Sequence, residues 1–192
     1  MSEKLTYKNR KGTFYYFREV SGKRGTQIVC SQTESDNDLS AIPETHEIVE
    51  SPNGQVFCRK KMKSNITREE ASCAENMVPS MMAPAIRILV ETKKNVLIIH
   101  SADTSDFNEL AKLALGWCAD SAGVKAITEG NLRYEPTLKL ELADKKERRF
   151  ALYRMCWVGG DPDWHYLDEG HLPALLEKYA PHIGQESFYE LF

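Results

Sequence analysis

Long apolar runs are missing from this 192-residue chain. A membrane helix needs ~20 consecutive apolar residues, whereas the longest runs here, such as residues 96–99, are strand-sized. No membrane partner is expected. The opening residues, Met1-Ser2-Glu3-Lys4-Leu5-Thr6, hold no apolar stretch of the kind a signal peptide carries, and neither end has a lipidation box. The expected location is the cytoplasm. Cysteine is sparse: Cys30, Cys58, Cys73, Cys118 and Cys156 are scattered, with no C-x-x-C pair. An odd count at wide spacing argues against a disulfide framework or a zinc cluster and for reduced thiols. Cys118 and Cys156 lie in core-like patterns, where a thiol behaves as a small, inert hydrophobe.

Several catalytic signatures are absent as well. Neither G-x-G-x-x-G nor the P-loop pattern occurs, which disfavours nucleotide binding by those routes. No serine sits in G-x-S-x-G. There is no H-E-x-x-H and no calcium-loop pattern, so no metal and no cofactor is expected.

What is present is an ordinary globular composition, 42% hydrophobic and 28% charged. The net charge of −3 is unevenly spread. Residues 1–68 carry 12 Lys/Arg against 8 Asp/Glu, whereas residues 69–192 carry 13 against 20. Such asymmetry points to an anionic partner for the N-terminal part, or to a solvated basic strand face.

Apolar alternation and turn chemistry predict an α+β fold. Residues 5–31 read as a β-meander with turns at 9–12 and 21–25. A hairpin follows around Ser51-Pro52-Asn53-Gly54, where Pro suits the first central turn position and Asn-Gly tolerates positive φ. Thr67-Arg68-Glu69-Glu70 is a capping box, opening a helix expected to stop before Pro79. Residues 86–91 and 96–100 form a second hairpin, and a helix is expected from about Asp106. In residues 137–143, Leu138, Leu140 and Leu142 point inward while Lys139 and Glu141 point outward. Residues 149–158 are apolar on both faces and read as a central strand. A helix over 173–179 follows. The predicted organisation is a basic β region (1–61), a linking helix and connector (62–84), and an α+β domain (85–192). That domain is an antiparallel sheet in the order ββα–ββα, with helices on one face. Phe188, Leu191 and Phe192 share a face expected to pack on the sheet.

Two clusters could carry chemistry. The densest polar segment is residues 159–171, read as a strand-to-helix loop. Its Asp161, Asp163, His165 and His171 could divide general acid and base roles or ligate a divalent metal in a hydrolase. Asp168 there could simply cap the following turns. The second cluster is the N-terminal meander, where Lys8, Arg10, Lys11, Arg18, Lys23 and Arg24 interleave with aromatics including Tyr15. Basic groups track phosphates and rings stack on unpaired bases, so a nucleic acid is a candidate partner. A further basic run, Arg59-Lys60-Lys61-Met62-Lys63, reads as charge that blunts a strand edge.

Two stretches resemble an uncharacterised bacterial protein family. One comprises residues 42–50, then Asn53-Gly54-Gln55-Val56 and Arg59-Lys60. The other comprises Pro181-His182 and residues 184–191. Together they cover under a quarter of the chain. The resemblance implies a bacterial cytosolic protein and carries over no catalytic residues. The leading expectation is a non-enzymatic binding or interaction module, contacting nucleic acid or another anionic partner through the basic N-terminal sheet. The rivals are a metal-dependent hydrolase built on residues 159–171 and a structural or assembly protein.

Overall fold

The computed structural model describes residues 4–23, 25–105 and 130–191. They divide into two compact units, residues up to Met62 with 130–131, and residues from Lys63 onward. Both are built mainly of antiparallel strands, and the chain is an α+β protein. Among the described residues, no helix is long and apolar enough to cross a membrane.

The first unit follows from its turns. Strands β1 (Thr6–Lys8), β2 (Phe14–Gly22) and β3 (Gly25–Ser31) pair in the order β1-β2-β3, as the aromatic alternation predicts. Phe17 is the fully buried ring of β2. Strands β4 (His46–Glu50) and β5 (Val56–Lys60) form the expected hairpin. Its turn closes with the Gly54 amide donating to the Ser51 carbonyl at 2.9 Å, and Gly54 sits at φ +83°. Buried Asn9 binds the two turns together: its Nδ2 donates to the Gly54 carbonyl at 2.6 Å and its Oδ1 accepts from the Thr13 amide at 2.8 Å.

The second unit begins with α1 (Arg68–Met81), opened by the predicted capping box of Thr67 and Glu70. The helix runs through Pro79 instead of stopping before it. A proline this close to the end deletes one hydrogen bond in the last turn. Burial of Val78 and a bond from Ser80 Oγ to the Met77 carbonyl (2.7 Å) hold that turn together. Five antiparallel strands follow: β6 (Ile86–Lys93), β7 (Val96–Asp103), β8 (Glu135–Asp144), β9 (Arg149–Val158) and β10 (Asp161–His171). Their spatial order is β10-β9-β8-β7-β6. Helix α2 (Leu172–Tyr179) closes the element list with two 3-10 segments, Ala180–His182 and Glu186–Glu190. The helix expected from Asp106 lies outside the described residues.

Two expectations are corrected here. Residues 159–171 are not a loop but an edge strand, so the second half reads βββα. Gly159 (φ +63°) and Gly160 (φ +95°) form a two-residue turn that flips β9 directly into β10. Pro162 is tolerated because an edge strand has one side free of the ladder. Strand β9 is interior to the sheet, as its apolar faces predict, between β10 and β8.

Both described helices pack on one face of the sheet. The rows Leu97–Leu140–Leu152 and Ile99–Leu138 meet Ala74 and Val78 of α1 and Leu172, Leu175 and Leu176 of α2. Arg148, at φ +53°, reaches from the β8–β9 turn to the Glu70 carboxylate and the Asn65 carbonyl. That contact ties the start of α1 to the sheet. Phe188 is buried in the core, as its spacing predicts.

Asp168 has a clear structural role. It accepts from Lys178 Nζ at 2.7 Å and from the Tyr179 hydroxyl at 2.9 Å, pinning the last turn of α2 to β10. It therefore holds the end of the helix and not its start, where the sequence placed a cap. The Lys178 ammonium foremost, then the Glu169 amide and the Tyr179 hydroxyl, hold its carboxyl below the ordinary value of 3.8. A depressed folded pKa gives stability that is complete above the unfolded value and lost as pH falls through the folded one. Asp168→Asn is expected to lower the urea midpoint at pH 7. The gap from wild type should close on acidification below the ordinary aspartate range.

Candidate functional site

The acidic and histidine candidates are strung along one strand. Asp161, Asp163 and His165 share the face of β10 that bears Asp168, whereas His171 lies on the other, as the pairing with β9 dictates. With 11 residues in the strand and ~3.3 Å per residue, Asp161 and His171 sit about 30 Å apart. All four side chains are exposed. Among the described residues, no group of three or more His, Cys, Asp or Glu could hold a metal ion.

The basic candidates are dispersed too. Lys8, Arg10 and Lys11 flank the turn at one end of β2, and Lys23 stands beyond its other end, about 25 Å away along a strand of this length. Arg10 Nε donates to Glu50 at 2.8 Å, and its guanidinium also reaches the Ser51 carbonyl. Arg18 Nε lies 3.1 Å from Asp38, whose carboxylate side chain is fully buried. Lys8 rests over the Phe14 ring, 5.5 Å from its centre. Tyr15 is half-buried, its hydroxyl accepting from Gln32. Arg24 lies outside the described residues. Lys11 and Lys23 are exposed and have no carboxylate partner among the described residues.

Three of the described thiols are poor nucleophiles. Burial pushes Cys30 up to about 11, with Cys58 beside it raising it further and the Cys58 amide opposing; burial also raises Cys58 and Cys73. Thiolates are therefore scarce at neutral pH. Cys156 is half-buried and Cys118 lies outside the described residues. A buried imidazole–carboxylate pair does exist. His100 Nε2 lies 3.1 Å from Glu91, whose carboxyl is held down chiefly by that contact, while His100 Nδ1 meets no hydrogen-bonding partner among the described residues. On the face of the sheet away from the helices, Lys139 Nζ sits 4.1 Å from the Tyr153 ring centre and 5.3 Å from that of Trp164.

A larger concavity of the second unit than the one between the start of α1 and the start of α2 lies where β7 ends and β8 begins. It is an open cleft of about 540 Å³ walled by the chain from Gly184 to Tyr189. Its floor includes the Ser101 and Thr137 hydroxyls, 2.6 Å apart, with Thr137 buried. Asp103, Glu135 and Glu186 bring carboxylates and Arg133 a guanidinium 3.8 Å from Glu135. Asp103 accepts from the Ser105 hydroxyl (2.6 Å) and amide (2.8 Å), which holds its carboxyl below the usual range. Trp157 and Tyr189 line the same cleft and are 67% and 73% exposed. Apart from residues 184–189, part of the stretch that carries the family resemblance, none of these residues stood out in the sequence. They come from four separated segments, and the available signals were only Trp157 before Gly-Gly and the polar residues around Phe188.

No family model, curated protein or solved structure matches this chain. The likeness of the two short stretches to a bacterial family thus has no counterpart among the comparisons, and the reading of the site rests on its own chemistry.

Arg18 and Lys23 provide a test of which cations are structural. Removing Arg18 leaves the buried Asp38 carboxylate unpaired, which costs about 3 kcal/mol for a broken buried pair. Arg18→Ala is expected to lower stability on that scale in chemical denaturation, and Lys23→Ala to leave the midpoint unchanged within error.

Proposed function

We propose that the protein is a non-enzymatic binding module whose ligand site is the cleft between the ends of β7, β8 and β9 and the chain from Gly184 to Tyr189. The observation that carries this reading is the lining. Exposed aromatic faces, hydroxyls and charges of both signs converge on one concavity anchored to strand ends, the usual character of a binding pocket. Two features support a binder over a hydrolase. Asp161, Asp163, His165 and His171 are spread along an exposed strand, and burial raises the thiols of Cys30, Cys58 and Cys73.

A second placement of the contact, nucleic acid or another anionic partner on the basic N-terminal sheet, draws support from exposed Lys8, Lys11 and Lys23. Arg10 and Arg18 are already engaged by Glu50 and Asp38.

One titration separates these readings. The full chain, labelled for amide and indole NMR, is titrated with a short single-stranded oligonucleotide, a neutral disaccharide and an alkyl diamine. Saturable shifts at Trp157, Thr137 and Tyr189 with one of these probes are expected. Shifts confined to Lys8, Lys11 and Lys23 that fade with added salt would move the site to the N-terminal sheet. No shift with any probe overturns the cleft, and turnover of a phosphoester or ester by the same sample overturns the non-enzymatic reading.

A further inference from the structure

Charge decides what the cleft can hold. Three carboxylates, from Asp103, Glu135 and Glu186, face one guanidinium, that of Arg133, among the described lining residues. Arg133 and Glu135 are highly exposed and 3.8 Å apart, so their pairing is weak and leaves the negative excess in place. A phosphate or carboxylate ligand would enter against that excess with a single cation to receive it. A neutral polyol would leave the carboxylates no better placed than in water.

The apolar part of the lining points the same way. Trp157 and Tyr189 present most of their surface to solvent at the cleft, and a ring face attracts a cation through its quadrupole, most strongly for Trp. Ile86, Met155 and Phe188 provide aliphatic and aromatic contact beside them. A cleft of about 540 Å³ has room for more than a single charged head.

From these observations we infer that the ligand is a small organic cation, an alkylammonium whose head meets the carboxylates and ring faces while its hydrocarbon body lies along Ile86, Met155 and Phe188. This rests on the reading of the cleft as a binding site and adds the chemical class of its ligand. The Ser101 and Thr137 hydroxyls accept from the ammonium in place of water.

The test is an isosteric series on the full chain: cadaverine, the diol of the same length, and glutarate. Cadaverine is expected to bind saturably, shift the Trp157 indole resonance, and weaken as salt is raised. The diol is expected to bind about tenfold more weakly, and glutarate to leave the spectrum unchanged. Glu135→Gln and Glu186→Gln should each weaken cadaverine about two- to fivefold, as exposed charge pairs do. Trp157→Ala should weaken it to a similar degree, with amide spectra confirming that each variant is folded. Diol or glutarate binding at Trp157 as tightly as cadaverine overturns the cationic class while leaving the cleft a binding site. Cadaverine affinity indifferent to both glutamine variants and to salt overturns it as well. Silence at Trp157 with all three probes, and with the oligonucleotide and disaccharide, overturns the binding reading itself.

Discussion

The second unit depends on one buried ladder of side chains. Leu97, Leu140 and Leu152 stand in a row across three strands, and Ile99 and Leu138 stand in the next, all with no solvent exposure. Burying side chains of this size contributes on the order of 1.5–3 kcal/mol each, enough to fix register, because a one-residue slip would turn every leucine to the opposite face. The ladder ends at Arg154, opposite Leu138, where an apolar residue would continue it. The Arg154 Nε donates to the Leu191 carbonyl at 2.9 Å. That bond draws the C-terminal segment over the end of the sheet, where it walls the cleft. The site is thus a consequence of where the apolar ladder stops.

Both units pair part of their charge locally. The basic first unit matches four of its cations to carboxylates: Lys4 to Glu34, Arg10 to Glu50, Arg18 to Asp38 and Arg59 to Glu47. Composition sees only the sum, so it does not register which of these cations are paired. In the second unit Lys178, Arg148 and Arg149 are likewise paired with Asp168, Glu70 and Glu169. The carboxylates of the cleft are the ones this pairing leaves exposed beside aromatic rings. A sequence tally of sign therefore pointed toward an anion at one end of the chain, while the ligand proposed for the cleft is a cation.

Where local rules act alone, the sequence is a reliable guide. Leu138, Leu140 and Leu142 alternate and are buried; Thr67 and Glu70 cap α1 reciprocally; Pro52-Asn53-Gly54 turns the hairpin. These depend on neighbours within four residues. The segment 161–171 failed because its Asp, Gly and Pro content resembles a loop, and its strand state is set by pairing with β9. The one local sign was Gly159-Gly160, a dipeptide suited to the positive φ of a tight hairpin turn. The cleft was illegible for a stronger reason. Ile86 and Tyr189 line the same space from more than half the chain apart, and no periodicity within a segment encodes that meeting.

The narrowest point of that meeting is a glycine. Gly184 has φ +77°, and a Cβ there would come within 2.7 Å of Ile86 Cδ1 and 2.8 Å of its Cγ1. Both residues line the cleft. The absence of a side chain at Gly184 lets the C-terminal segment lie directly against β6, while the Arg154–Leu191 bond holds its far end over β9. The wall is therefore fixed at two points on opposite sides of the sheet, with Gln185, Glu186, Phe188 and Tyr189 between them. Phe188 is buried and anchors the span, which leaves Glu186 and Tyr189 exposed at the cleft. A ligand bound at the proposed site would meet a wall that needs little ordering, and binding energy at an open cleft with few strong contacts is best conserved by such preorganisation.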